Sequence, residues 1–245
     1  MPQRVTQPAP RVATPTTTPH RPRPTIAAAP ADATRTAGWQ AQPKKPKTLE
    51  PAPTITLPAD ITSSNGVPVF KQGDARWGHQ RLGDTTTISR SGCAMSSSAM
   101  AMSAISGKPV TPEGLNAWLK DNKGYAGDAL DWSRVGRARN LDVRRESFTR
   151  ATIDAQLDAG RPVVIGVDYK AGSNGGSNGT DHWVCITGKS VGADGKVTYS
   201  ANDPGTGKVI TLTPNAKGQG LSGDGQGALG HYKTTGELRV FVPRE

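Results

Sequence analysis

Apolar residues recur at two different periods along this chain, one typical of helices and the other of strands. Met95, Ala99 and Met102 follow one another at intervals of four and three residues, which places them on one face of a helix. Gly107 then supplies a residue that commonly ends a helix. We therefore predict a helix over Ala94–Ser106.

Three further helices are predicted from capping residues and apolar spacing. Thr111 is a favourable N-cap, and Pro112 suits the first helical position, where its missing N–H costs nothing. A third helical segment is predicted over Ala129–Arg139. A fourth is predicted to begin after Thr149 and to stop at Gly160.

An alternating pattern of apolar and polar residues begins near residue 162 and predicts strands. A short edge strand is also predicted much earlier, at Val67–Phe70. The later strands are expected at Pro162–Asp168, His182–Thr187, Lys196–Ala201, Lys208–Leu212 and Leu238–Val242. Because helices come first and strands later, we predict an α+β domain with a mainly antiparallel sheet.

The first 63 residues show neither pattern. Of the 20 prolines in the chain, 13 precede residue 61, and Thr, Ala and Arg dominate this segment. Such a composition cannot bury enough apolar surface to offset the entropy of ordering the chain. We therefore predict a disordered tail over residues 1–63 and a folded domain over residues 64–245.

The chain of 245 residues carries a formal net charge of +10 at pH 7. This charge favours anionic partners, such as a cell-wall polymer or a membrane surface. No run of about 18 apolar residues is present, so we expect no membrane span. The sparse aromatic residues do not alternate with Arg or Lys as a stacking platform requires, which argues against nucleic acid as a partner.

The N-terminal sequence bears on where the protein acts. Residues Met1–Val12 are positively charged, but prolines interrupt them and no apolar stretch follows. A Sec-type signal peptide needs such a stretch, so none is expected here. We expect a cytoplasmic protein, or one exported by a route that leaves no such signal, as for a phage-type or effector-type protein.

The two cysteines, Cys93 and Cys185, are too few for a disulfide framework or a cysteine-based zinc site, which directs attention to thiol chemistry. Cys93 directly precedes the first predicted helix, and the partial positive charge at a helix N-terminus stabilises a thiolate. The opening amides of that helix could also hold an oxyanion. The competing interpretation of Cys93 is a buried, inert cysteine.

His182 begins a predicted strand and is the candidate base for Cys93. Alternation along this strand directs His182 to one face and Cys185 to the other, so Cys185 is interpreted as a packed core residue. A glycine-rich loop, Ala171–Thr180, precedes His182 and could line or cover a cleft. A purely structural histidine is the alternative interpretation.

A third group is needed to orient the imidazole of His182 and to stabilise its charged form. Asp203 ends the next predicted strand, which places it beside His182 if the two strands are neighbours. The competing role of Asp203 is turn formation within Asn202–Gly205, a strong turn sequence.

Metal chemistry is not indicated by the sequence. The histidines are scattered and show no metal-ligand spacing; they are His20, His79, His182 and His231. We therefore expect neither a metal nor another cofactor.

Several short motifs resemble, in order, those of the C39-like peptidase family. The first three are a VPxxxQ strand, a D-x-R-W turn and a G-C-x-x-x-S helix, which this chain has at residues 67–72, 74–77 and 92–97. Later matches are Thr111–Glu113, Asp181–Val184 and Asn202–Pro204. Each motif is short, but five or more in the family's order make the resemblance specific over roughly residues 66–213.

The resemblance implies a papain-like α+β fold, in which an N-terminal helical part carries the catalytic cysteine and an antiparallel sheet follows. It implies that Cys93 is the nucleophile, that His182 is the general base and acid, and that Asp203 is its orienting partner. It further implies that the Gln72 side chain donates to the oxyanion. The competing interpretation of Gln72 is an exposed edge-strand residue, and Gln80 is a second candidate for the donor.

The resemblance implies a cysteine peptidase or amidase that acts through a thioester acyl-enzyme on a peptide substrate. Because the domain is basic, peptides of peptidoglycan are the favoured special case. The alternative is a catalytically inactive papain-fold binding module with an anionic partner. The sequence leaves open whether the glycine-rich segment Lys217–Leu229 is a lid or a tolerated insertion.

Overall fold

The computed structural model describes residues 49–170, 179–216, 218–224 and 231–245, which combine short helices with a large sheet. The helices are α1 (Ile88–Ser91), α2 (Cys93–Ser106), α3 (Pro112–Asp121), α4 (Trp132–Val135) and α5 (Arg150–Asp158), with a 3-10 helix at Gly136–Arg139. The strands are β1 (Ser63–Ser64), β2 (Val67–Pro68), β3 (Arg81–Leu82), β4 (Thr86–Thr87), β5 (Tyr125–Ala126), β6 (Ala129–Leu130), β7 (Leu141–Arg145), β8 (Val163–Asp168), β9 (His182–Val191), β10 (Val197–Asp203), β11 (Lys208–Pro214), β12 (Leu221–Asp224) and β13 (His231–Pro243). The predicted mixture of helices and antiparallel strands is confirmed.

Six of these strands close into a barrel. Their order is β12–β11–β10–β9–β8–β13, and β12 pairs with β13 to complete the circle, each neighbour being antiparallel. Strand β7 pairs with the C-terminal part of β13, on the edge of β13 opposite β8. Closure was not predicted from the sequence, because it depends on pairing between strands that are distant along the chain.

The barrel interior is filled by alternating residues of its strands, as a period of two requires. The side chains that pack there include Ile165, Val184, Tyr199, Leu212, Tyr232 and Leu238, together with Ile153 of α5. His182 has the same alternation as Val184 on β9. It therefore lies at one end of this interior, which fixes where a histidine-dependent site can form.

Helix α2 packs against the outer face of β9 and carries the apolar stripe that the sequence indicated. Met95, Ala99 and Met102 are buried in a second hydrophobic cluster, which also includes Cys185 of β9. The Oγ of Ser97 donates to the Trp183 carbonyl at 3.1 Å, which ties the first turns of the helix to the strand. The predicted helix is thus confirmed and begins one residue earlier than expected, at Cys93.

Thr111 is the N-cap that was predicted, and Thr149, after which a helix was predicted to begin, is also an N-cap. The Oγ1 of Thr111 accepts a hydrogen bond from the Gly114 amide at 3.2 Å and starts α3, and Thr149 likewise accepts from the Thr152 amide at 3.0 Å and starts α5. No helix in the part of the chain that the structure describes is long and apolar enough to cross a membrane.

The segment predicted as one helix over Ala129–Arg139 is divided into β6, α4 and the 3-10 helix. Asp131 accepts from the Ser133 amide at 2.9 Å, so its side chain caps a helix that starts only at Trp132. A Cβ on Gly136 would lie 2.6 Å from the Leu141 carbonyl oxygen, so the chain must pass close to itself there. Apolar spacing alone could not predict this division.

The packed region also extends further toward the N-terminus than the predicted boundary at residue 64. Ala52 is buried and its amide donates to the Ala138 carbonyl at 3.0 Å. The Arg139 guanidinium donates to the Ala52 carbonyl at 2.6 Å, and Trp118 donates to the Glu50 carbonyl at 2.7 Å. Residues 49–63 therefore belong to the packed domain because its side chains bind their backbone, whereas residues 1–48 of the predicted tail lie outside the described residues.

Two strands of the large sheet have no counterpart in the sequence prediction. Strand β7 has a polar, arginine-rich sequence, and β12 falls inside the glycine-rich segment whose role the sequence left open. Both form because a neighbouring strand offers hydrogen bonds, which is a long-range effect. Residues 217 and 225–229 of the glycine-rich segment lie outside the described residues.

Candidate active site

Cys93 is the first residue of the long helix α2 and is partly exposed. The preceding Gly92 donates its amide to the Ile88 carbonyl at 2.8 Å, which ends α1 and redirects the chain into α2. A Cβ at position 92 would lie only 2.5 Å from that carbonyl oxygen, so glycine is required. The Ser-Gly-Cys sequence thus places the thiol and the unpaired opening amides of the helix together.

His182 is the first residue of β9 and pairs with Val167 of β8. Its side chain is 8% exposed, so it is held among other groups rather than in solvent. The aromatic rings of Tyr169 and Tyr232 lie 5.6 and 5.5 Å from the imidazole, measured between ring centroids. These contacts restrict how the imidazole can rotate.

Asp203 is the last residue of β10, and its Oδ1 lies 2.7 Å from His182 Nε2. The carboxylate is fully buried and accepts hydrogen bonds on both oxygens. Gly205 N donates to Oδ1 at 2.8 Å, and Thr206 Oγ1 and Tyr232 Oη donate to Oδ2 at 2.8 and 3.0 Å. With four partners, this carboxylate is held in one orientation.

A β-bulge between β9 and β10 sets the relative position of Asp203 and His182. Ser200 pairs with Gly188, but the next residue, Ala201, pairs with Ile186, so β9 contributes one extra residue. Continuing this register places Asp203 opposite Val184, on the same face as His182. Without the bulge, Asp203 would lie opposite Cys185, whose side chain points to the other face.

The charge on His182 follows from these neighbours. Burial lowers the pKa of His182, but hydrogen bonds to Asp203 and Cys93 and the negative charges of both groups outweigh burial and raise the pKa from 6.5 to about 9. Because Nε2 is bonded to Asp203, Nδ1 is the ring nitrogen that remains for Cys93. Near pH 7 the imidazole is therefore protonated, with a carboxylate on one side and the thiol on the other.

The contact with His182 also lowers the pKa of the Asp203 carboxyl group. Burial raises the pKa of Asp203, but the hydrogen bond with His182 and its positive charge, followed by the Thr206 and Gly205 donors, lower the pKa below its ordinary value of 3.8. Asp203 is therefore ionised at neutral pH, where His182 is charged.

Gln72 lies in the same cleft as Cys93 and His182. Its Nε2 donates to the Ser89 carbonyl at 2.8 Å, which uses one of the two N–H groups, and its backbone amide donates to the Pro204 carbonyl at 2.8 Å. Gln80 does not line this cleft, and its Nε2 donates to Glu113 Oε1 at 2.7 Å instead. The side chain of Gln80, the second candidate for an oxyanion donor, is thus bonded to Glu113 outside the cleft.

The cleft has a volume of about 390 Å³. Aromatic side chains form much of its wall, and they are Tyr125, Trp132, Tyr169 and Trp183. Residues 171–178 of the loop that was expected to line or cover a cleft lie outside the described residues, whereas Thr180 lines it. Cys185 is fully buried, and burial raises the pKa of its thiol, as expected of a core cysteine.

Sequence reasoning missed several groups around Asp203. Tyr232 lies on the last strand, far along the chain from Asp203, and no local pattern marks it. Gly205 and Thr206 follow Asp203 directly, and the turn sequence was a usable signal for them. A Cβ on Gly205 would lie 3.2 Å from both Asp203 Oδ1 and His182 Cε1, so glycine allows the backbone to approach the pair.

Comparison with known proteins identifies the family to which these residues belong. A family model described as the Peptidase_C39 like family matches residues 64–219, more than half of the chain. The match includes Gln72, Cys93, His182 and Asp203 and ends before Tyr232. A search of curated proteins gives no match.

Proposed function

We propose that this chain, which belongs to the peptidase C39-like family, is a cysteine peptidase or amidase that cleaves an amide bond through Cys93. The observation that carries the proposal is that the helix-opening Cys93 and His182 line one open cleft, while the buried Asp203 Oδ1 lies 2.7 Å from His182 Nε2. A thiol at a helix N-terminus opposite a histidine carried by a sheet is also the arrangement expected of a papain-like fold.

The first step is activation of the nucleophile. His182 holds the proton as an imidazolium and Cys93 reacts as the thiolate, because the thiolate is the attacking species in thiol chemistry. Asp203 accepts from Nε2 and keeps Nδ1 directed to the sulfur. The Sγ of Cys93 then forms a bond to the carbonyl carbon of the substrate, and the carbonyl π electrons move to the oxygen.

The resulting oxyanion needs hydrogen-bond donors. The backbone N–H of Cys93 has no partner within the helix, since it belongs to the first turn. The second N–H of Gln72 Nε2 is the other donor, because the first already binds Ser89. One good donor contributes about 3 kcal/mol to stabilisation of such a transition state.

Collapse of the tetrahedral intermediate breaks the C–N bond, and His182 gives its proton to the leaving amine. A water molecule then attacks the thioester while neutral His182 accepts one of its protons. The C–S bond breaks, the carboxylic acid leaves, and the proton on His182 restores the ion pair with the Cys93 thiolate. Of the water molecule, one proton thus ends on His182 and the hydroxyl group ends in the carboxylic acid.

Peptidoglycan is the proposed special case among peptide substrates. Its support is the formal net charge of +10, which draws the protein toward anionic polymers. A catalytically inactive binding module would also benefit from this charge, but it would have no need of a complete set of Cys93, His182 and Asp203.

The experiment is incubation of the full chain with intact peptidoglycan and, separately, with casein, followed by mass spectrometry of the released fragments. Cys93→Ala is the test variant, and Cys185→Ala is the matched control, because it removes a thiol outside the cleft. New muropeptides that need Cys93 would support wall hydrolysis, and cleavage of casein alone would favour a protein-directed peptidase. Fragments that persist in Cys93→Ala would contradict the proposed nucleophile.

A further inference from the structure

Four side chains with fixed charge line the cleft around Cys93 and His182. Two of them are acidic, Asp128 and Asp181, and two are basic, Arg90 and Lys170. The formal charges of these four groups sum to zero. The acidic and the basic groups differ, however, in how far they are already hydrogen-bonded within the protein.

Both acidic groups bind to the protein itself. Asp181 accepts from the backbone amides of Tyr169 and Lys170, each at 3.0 Å, so both of its oxygens are engaged. Asp128 accepts on Oδ1 from the amides of Asp84 and Thr85, each at 2.8 Å, and on Oδ2 from the Thr85 hydroxyl. These donors reduce the attraction that the two carboxylates exert on a bound molecule.

Arg90 is the contrasting case. It lies in the last turn of α1, three residues before Cys93, and its side chain is exposed. Within residues 49–170, 179–216, 218–224 and 231–245, its guanidinium has no hydrogen-bond or ion-pair partner. An arginine at the wall of a cleft presents paired donors that match a carboxylate.

Lys170 also lines the cleft and is the second residue after the end of β8. Its Nζ is 4.9 Å from the centroid of the Tyr169 ring, which holds the amine at the cleft. Interactions with Tyr169, and then the charges of Asp181 and Cys93, raise the pKa of Lys170, so the amine is charged at neutral pH. The N-terminal end of α2 and His182 line the same cleft and add positive charge to it.

We infer that the cleft is a carboxylate-binding site, in which Arg90 and Lys170 select substrates that carry an acidic group next to the scissile amide. This inference rests on the proposed peptidase function and narrows its substrate class. The acidic group can be a side-chain carboxylate or a free main-chain carboxylate, since both present the same two oxygens. Peptides of peptidoglycan carry both kinds of group.

Alkylation of Cys93 tests this site without requiring turnover. Iodoacetate and iodoacetamide have nearly the same size and form the same C–S bond with loss of iodide, but only iodoacetate carries a carboxylate. The quantity to measure is the ratio of their second-order rate constants on the full chain at pH 7 and low salt. Because it is a ratio, a change in the intrinsic reactivity of the thiol cancels.

We expect Arg90→Gln and Lys170→Gln each to lower the iodoacetate-to-iodoacetamide ratio about threefold to tenfold, since one charge at close range is removed. Arg90→Lys should retain most of the ratio. Arg144→Gln is the control, because it removes an exposed arginine of β7 that does not line this cleft. Adding 1 M salt should reduce the wild-type ratio.

A ratio that stays unchanged in both Arg90→Gln and Lys170→Gln overturns the carboxylate site, even if the chain cleaves peptides. A lowered ratio supports the site, even if no substrate is cleaved in the peptidoglycan and casein experiment. The failure of this inference and the failure of the proposed peptidase function are therefore separate results.

Discussion

The hydroxyl of Tyr232 donates a 3.0 Å hydrogen bond to Oδ2 of Asp203, inside the barrel. Oδ1 of the same carboxylate is bonded to His182. Tyr232 therefore extends the proposed series of hydrogen bonds from Cys93 through His182 to Asp203 by one further group. Tyr232 belongs to β13, which lies beyond the residues that the family model matches. The last strand of the barrel therefore contributes to the site and not only to the fold.

Tyr232→Phe is the first test of this relationship. Loss of the hydroxyl removes one donor from the buried carboxylate, so Asp203 should protonate at a higher pH and hold His182 less firmly. We expect kcat/KM to fall about threefold to thirtyfold, with the acid limb of its pH profile displaced upward. The measurement is the pH profile of hydrolysis, or of Cys93 alkylation.

Tyr199→Phe is the matched control for that variant. Its hydroxyl donates to Asp154 at 2.8 Å, away from the cleft, so its removal should affect stability and leave the pH profile in place. Equal displacement of the profile in both variants would show that Tyr232 acts only through general packing.

Gln72→Ala should separate catalysis from thiol reactivity. Because the N–H of Gln72 Nε2 that does not bind Ser89 is proposed to donate to the oxyanion, we expect kcat to fall about 100-fold. The rate of Cys93 alkylation by iodoacetamide should change little, since that reaction forms no oxyanion. Gln80→Ala is the control and should keep both rates; a Gln72→Ala variant with normal kcat would remove Gln72 from the mechanism.

The charge on His182 predicts how stability depends on pH. The pKa of His182 is about 9 in the folded chain and near 6.5 when unfolded, so the folded state binds the proton more tightly. The stabilisation is fully present below pH 6.5 and is lost as the pH rises through 9. This corresponds to about 3 kcal/mol from the shift of the His182 pKa.

Urea unfolding at pH 6 and at pH 10 measures this contribution. The free energy of unfolding of the wild-type chain should fall by more than that of His182→Gln over the same interval, since the variant lacks the titrating group. If the two chains lost equal stability, the shifted pKa would not belong to His182. NMR titration of the imidazole in Cys93→Ala should also show a pKa below 9, because the thiol contributes to the shift.

Gly92→Ala should displace Cys93, the proposed nucleophile. Its Cβ would lie 2.5 Å from the Ile88 carbonyl oxygen and 2.8 Å from the Ile88 side chain, so the turn between α1 and α2 must move. We expect a loss of stability of about 1–3 kcal/mol and a larger proportional loss of activity. The control is Gly114→Ala, where the nearest atoms are 3.6 Å away and the melting temperature should be kept or raised.

Much of the helical part of this protein could be predicted from local sequence. The stripe of Met95, Ala99 and Met102, the cap at Thr111 and the cap at Thr149 all specify their helices through interactions within a few residues. The positions of Cys93 at a helix start and of His182 at a strand start follow from the same local rules. These are short-range effects, so a linear sequence contains them.

The tertiary structure decided which of these local elements meet. Closure of the barrel, the use of Tyr232 and the packing of residues 49–63 all depend on partners that are distant along the chain. The clearest case is the pair of His182 and Asp203. Alternation within each strand shows which side chains share a face, but only the bulge between β9 and β10 brings Asp203 to the His182 face, because register is a property of two strands together.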